Sequence, residues 1–269
     1  MGIAIGALAL AAAVQASPDP GPTGAPGEPA PMRQSNGRLC LPDADVCFAV
    51  EPDPERSEGH YRLQLTDAAN DGSNAKHEAL SYHAGNRDRL EIWPNAIALP
   101  GWQAEGQAWL VGVLQNSHVM YSGGGGDSTR LHLHLFYLGR TAGLSKQLLD
   151  LPWRASQLIR ACFNKDDQKR RLGACHDEYE FGASLALDPD NAGGEMPALT
   201  YRTQTTAFPQ TARLWEDSSE APPLTKDDLS HWTDFECSYQ RTLQFNPASR
   251  RYEMDSPAPD CAQYTDFIR

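Results

Sequence analysis

Residues 108–137 read AWLVGVLQNSHVMYSGGGGDSTRLHLHLFY, and the reading of this stretch decides the fold. Ala108 to Gln115 is strongly apolar, as a central strand is. Ser122 to Ser128 reads SGGGGDS, a mobile turn in expectation. Its flanks, Ser117 to Tyr121 and Arg130 to Tyr137, then form a hairpin around it. In the second flank Leu131, Leu133 and Leu135 alternate with His132 and His134, a period of two that suits a strand.

The same grammar extends outward. Val46 to Val50 and Tyr61 to Leu65 are short β-prone runs, and Leu90 to Trp93 is a strand expected to end at Pro94. Lys146 to Leu151, Gln157 to Phe163, Glu178 to Leu187 and Leu199 to Thr206 follow, with Gly, Pro and Asp turns among the strands. Ser238 to Phe245 and Arg251 to Met254 form a last hairpin across Asn246 to Ser249. One short helix is expected near Lys226 to Trp232, with Thr225 as N-cap and Asp228 three residues on. Many short strands with turn residues between them predict a mainly β fold: an antiparallel sandwich, barrel or propeller-like arrangement with short helical turns. No fixed internal period supports a regular propeller. The β domain is expected over 37–269, either as one unit or as two subdomains over 37–140 and 155–269.

Two features point to export. Ile3 to Val14 is an apolar stretch of signal-peptide length, and Val14-Gln15-Ala16 places small residues where a signal peptidase reads them. A signal peptide over 1–16 is therefore expected, although no Lys or Arg precedes the apolar run. Twelve apolar residues are too few to span a bilayer as a helix. Residues 17–36 begin SPDPGPTGAPGEPAP and read as a disordered Pro/Gly-rich tether. The six cysteines agree with an oxidising compartment, periplasmic or secreted. They allow about fifteen pairings, but their grouping suggests Cys40–Cys47, Cys162–Cys175 and Cys237–Cys261.

Composition narrows the function. The chain has 269 residues, is 40% hydrophobic and carries a net charge of −12, with a basic face nowhere evident. A nucleic-acid partner is thereby disfavoured, because such binders displace counterions with clustered Lys and Arg. Another protein or an envelope component is the expected partner.

Three local signals remain. The first is His132 and His134, whose rings share one strand face about 7 Å apart and would suit a divalent metal such as zinc or copper. With the turn centred on Gly125, His118 lies across from His132 and completes a three-histidine set; a shift of one residue puts it on the other face. The second is the loop Tyr121, Gly123, Gly124, Gly125, Gly126 and Asp127, whose backbone N–H groups would cradle an anion or whose tip would enter a partner's cleft. The third is the stapled loop between Cys162 and Cys175, with Lys169, Arg170 and Arg171 beside Asp166 and Asp167 and followed by His176, Glu178 and Glu180 on one strand face. No G-x-S-x-G elbow, P-loop, HExxH or EF-hand spacing occurs. The reading is a non-enzymatic binding or accessory protein of the cell envelope, with a metal-binding protein or metal-dependent hydrolase as the alternative.

Overall fold

A computed structural model describes residues 29–56, 58–67, 76–80, 84–85, 88–102, 106–139, 142–191 and 194–266. The expected signal peptide and the first part of the tether lie outside these residues. The fold is mainly β and antiparallel, as expected, and its large sheet does not close into a barrel.

The described residues hold fifteen strands: β1 (Ala30–Pro31), β2 (Arg33–Ser35), β3 (Arg38–Cys40), β4 (Val46–Pro52), β5 (Tyr61–Asp67), β6 (Lys76–Ala79), β7 (Asp88–Ala98), β8 (Gln107–Tyr121), β9 (Gly124–Leu138), β10 (Ala142–Arg160), β11 (His176–Leu187), β12 (Leu199–Phe208), β13 (Trp232–Thr233), β14 (Gln240–Asn246) and β15 (Arg251–Met254). Two short helices, α1 (Lys165–Arg170) and α2 (Ala262–Thr265), and one 3₁₀ turn (Pro189–Asn191) complete the list. β2 to β6 form a five-stranded meander. The other ten strands make one sheet in the order β1-β7-β8-β9-β10-β11-β12-β14-β15, with β13 beside β12.

Residues 30–31 and 33–35, placed in the expected tether, take part in strand pairing. Ala30–Pro31 pairs with Asn95–Ala96, Met32 is buried with its N–H on the Pro94 carbonyl (2.9 Å), and Arg33–Ser35 pairs with β3. β10 runs unbroken through the expected subdomain junction, pairing with β9 over its length and with β11 over Arg154–Arg160.

The apolar run of β8 is buried on both faces, which explains its lack of alternation. Trp109, Val111 and Val113 meet Phe48, Leu63 and Leu65 of the five-stranded sheet, with Phe136 from β9. Phe48 stands edge-on to Phe136 at 5.1 Å. On the other side Leu110, Leu131 and Leu133 join Trp93, Leu149, Leu151, Trp153, Leu185, Leu199, Tyr201 and Leu243 in the largest core cluster. A third cluster places Tyr179 and Phe181 under Tyr264 of α2 and the Cys237–Cys261 disulfide.

Two strand boundaries and one expected helix differ from expectation for identifiable reasons. β7 continues past Pro94 to Ala98 because a register shift between Ile92 and Ala96 absorbs the proline, which has no N–H to give. Lys146–Leu151 and Gln157–Arg160, the strand part of the expected Gln157–Phe163, belong to one strand, kinked by a shift between Pro152 and Arg154. The segment after Thr225 is not helical: Asp228 Oδ2 accepts from both Thr225 N and Oγ1 (2.7 Å each), so the carboxylate closes a turn rather than a helix end.

Candidate functional site

The β8–β9 turn is tighter than the glycine run suggests. Tyr121 pairs with Gly124, so Ser122 and Gly123 alone form the turn. Gly124, Gly125 and Gly126 are strand residues, paired with β8 on one side and with Ile159, Leu158 and Gln157 of β10 on the other. The expectation of a mobile turn over Ser122 to Ser128 is thereby corrected. A Cβ on Gly125 would lie 2.9 Å from the Val119 carbonyl oxygen, so the glycines let adjacent strands approach.

Moving the turn centre moves every partner. His118 pairs with Asp127, and His132 pairs with Val113. His118 therefore stands on the face opposite His132 and His134, and the three histidines share no common ligand sphere. His118 Nδ1 sits 2.6 Å from Asp127 Oδ1 at an exposed position.

Register places one open face at this end of the sheet. Along one row lie Met120, Gly125, Leu158, Glu178 and Phe208. The next row holds His118, Asp127, Ser156, Glu180 and Thr206, and beyond it lie Asn116, Thr129, Arg154, Gly182 and Gln204. Met120 is 76% exposed and Leu158 40%, each near the end of a long paired strand. On the other face of the same strands Gly126, Ala155, Tyr179, Phe181, Thr205 and Ala207 are buried.

The stapled loop flanks this open face. Arg160 and His176 pair at its border, and the Arg160 guanidinium lies 5.2 Å from the centre of the 61%-exposed Phe163 ring. A hollow of about 390 Å³ lies between them, lined also by Cys162–Cys175, Asn164, Lys165 and Gln168. Asn164 caps α1, its side chain accepting from Asp166 N and Asp167 N. The expected basic cluster does not face solvent as a unit. Arg171 is buried, with Nη2 on Asp177 Oδ1 (2.5 Å), Nε on Ala174 O and Nη1 on Ser218 O; Arg170 Nη2 donates to Ala221 O (2.6 Å). These arginines strut the loop against residues 218–221. His176, Glu178 and Glu180 do share an exposed face, as expected from alternation.

The other two histidines are buried on the opposite side, at 3% and 2% exposure. His132 sits in a chain of amides. Asp88 Oδ2 accepts from Gln115 Nε2 (2.7 Å), which turns Gln115 Oε1 toward His132 Nε2 (3.1 Å). Gln147 Nε2 in turn donates to His132 Nδ1 (2.8 Å). The ring is therefore a neutral Nε2–H tautomer with both nitrogens occupied. Burial holds its pKa down to about 4, against the partial pull of Asp150, whose Oδ1 is 3.6 Å from Nδ1. Arg130 Nε holds Asp150 at 2.9 Å and Nη1 reaches Asp266 at 3.5 Å. His134 Nδ1 lies 3.1 Å from the Ser145 carbonyl, and burial lowers its pKa as well. Among the described residues no group of three or more His, Cys, Asp or Glu side chains is arranged to hold a metal.

All three cysteine pairs form as grouped: Cys40–Cys47, Cys162–Cys175 and Cys237–Cys261. Of the sequence signals, the glycine run and the stapled loop meet at one end of the sheet, with His118 and Asp127 on the open face between them. Reasoning from sequence did not single out Met120 and Leu158. Their exposure depends on which face each register places outward, and no local pattern reports that. No family model, curated protein or solved structure matches this chain.

Proposed function

We propose that the chain is an exported, non-enzymatic binding protein that docks another protein or an envelope component on the open face of β8–β12. One observation carries the reading: Met120 and Leu158, apolar and exposed, flank Gly125 on a face whose reverse side is buried. Five strands at a spacing of about 4.8 Å give the face a width of about 20 Å. Exposed apolar side chains set among polar ones, as Met120 and Leu158 are beside Glu178, are the usual build of a macromolecular contact. The three disulfides support export, since such bonds persist in oxidising compartments. No described helix is long and apolar enough to cross a membrane.

The test is a double substitution, Met120→Lys with Leu158→Glu, compared with the parent in crosslinking and capture from an extract of exported components. A species captured by the parent and lost in the variant, at an unchanged melting temperature, supports the reading. Equal capture by both proteins sinks it. Shortening Gly123 to Gly126 is a poorer test, because it would break the β8–β9–β10 pairing itself.

The metal reading needs a different event. A cation at His132 would have to displace either the Gln147 amide from Nδ1 or the proton shared with Gln115 from Nε2. Elemental analysis of untagged protein decides it: stoichiometric zinc or copper would favour that reading over the present one.

A further inference from the structure

A separate cleft of about 440 Å³ opens where Trp93 and Asn95 of β7 come near Ser184 to Leu187 of β11 and Thr200 and Arg202 of β12. Its volume lies in the range of small-ligand pockets, about 300–1,000 Å³. One side is apolar. The Trp93 and Trp153 rings meet edge-on at 5.7 Å, and Leu185, Leu187 and Pro29 continue the wall.

The polar side is uncommitted. Among the described residues, the side chains of Asn95, Ser184 and Thr200 make no hydrogen bond. Arg202 uses only Nε, which donates to Gln240 Oε1 at 2.7 Å, leaving both terminal amino groups. The chain carries a net charge of −12, yet the cleft lining contains one cation and no carboxylate. A guanidinium with its fork free, beside hydroxyl and amide donors, matches a carboxylate. The apolar lining of Pro29, Ala186 and Leu187 over the buried indoles matches an apolar body attached to it.

We propose that this cleft binds a small organic carboxylate with an apolar, ring-sized body. The Arg202 fork takes the carboxylate, Asn95 and Ser184 complete its hydrogen bonds, and the partly exposed Pro29, Ala186 and Leu187 with the edge of Trp153 take the ring. Ser184 and Arg202 continue the same face of β11 and β12 beyond Gly182 and Gln204, but the cleft shares no residue with the row of Met120 and Leu158, so either assignment can fail without the other.

The test is titration of the full chain with 3-phenylpropionate, followed by calorimetry and tryptophan fluorescence, beside the uncharged 3-phenylpropionamide. Saturable one-to-one binding is expected for the acid. The amide, and the acid on Arg202→Gln, should each bind about tenfold more weakly, the scale of a lost charge-assisted hydrogen bond. The Met120→Lys/Leu158→Glu protein should bind the acid as the parent does. Equal affinity for acid and amide on the parent overturns the assignment, and that comparison does not depend on the folding of any variant. Absence of saturable binding across aryl and medium-chain alkyl carboxylates at millimolar concentration overturns it equally.

Discussion

Gly124 and Leu158 approach so closely that a Cβ on the glycine would fall on the Leu158 carbonyl oxygen. The glycine lies in β9 with strands on both sides, so the backbone has no direction in which to retreat. Gly124→Ala should destabilise the protein by about 2–4 kcal/mol, through strain at a fixed backbone. Gly182, in the neighbouring β11, has nothing within 4 Å of where its Cβ would stand. Gly182→Ala should be neutral or stabilise by a few tenths of a kcal/mol, roughly, from reduced freedom of the unfolded chain. Urea melts of the two variants separate close strand approach from a general intolerance of substitution in glycine-bearing strands. Equal losses would show that the approach is not the cause.

Arg171 and Asp177 form a buried ion pair, at 6% and 3% exposure, between the stapled loop and β11. Asp177→Ala leaves a buried guanidinium with only carbonyl partners, and should cost about 3–5 kcal/mol. The double variant Arg171→Met/Asp177→Leu should recover most of that loss, because no uncompensated charge remains. Thermal melts of the single and double variants measure the difference. A double variant as unstable as the single one would mean that the arginine's bonds to Ala174 and Ser218 matter more than its charge balance.

The hairpin of β8 and β9 was legible because alternation in Leu131–Leu135 and a glycine run are both local signals. The turn centre was not legible, since four glycines offer several equivalent positions and the choice is made by pairing with β10. That two-and-a-half-residue displacement carried His118 to the other face. The amide chain around His132 was hidden for a related reason: Gln115, Gln147 and Asp88 lie far from it in sequence and converge only once three ladders are in register. The cysteine pairs were legible because each closes a short loop between neighbouring segments. Pro94 read as a strand end and Leu151 as the last residue of another strand, but register shifts carried both strands onward.

The disulfides should differ in weight. Their sequence separations are 7, 13 and 24 residues for Cys40–Cys47, Cys162–Cys175 and Cys237–Cys261. In the chain-entropy model the contributions are about 2.5, 3.0 and 3.5 kcal/mol. Cys40 and Cys47 are as buried as Cys237 and Cys261, so the packing lost on replacement by Ala is shared by the first and last pairs and loop length sets their order. Three double-alanine variants should melt in the order 40/47 above 162/175 above 237/261. The reverse order would show that strain or residual unfolded structure dominates the loop lengths.

The protein should lose stability on mild acidification through His132. Its native pKa of about 4 lies below the unfolded value of 6.5. The unfolded chain therefore takes up a proton that the native ring refuses, and stability falls as the pH drops from 6.5 toward 4, then levels with respect to this group. At pH 5 the loss from this one ring is about 2 kcal/mol relative to pH 7.5. His134, also held low by burial, adds in the same direction. His132→Gln removes the titration and retains an amide able to bond Gln115 or Gln147, so its absolute stability at pH 7.5 is not the readout. The readout is the difference between the pH 7.5 and pH 5 melts, which should shrink by about 2 kcal/mol relative to the parent. An unchanged difference would mean that the ring becomes protonated in the native state, with Asp150 turning from Arg130 to receive it.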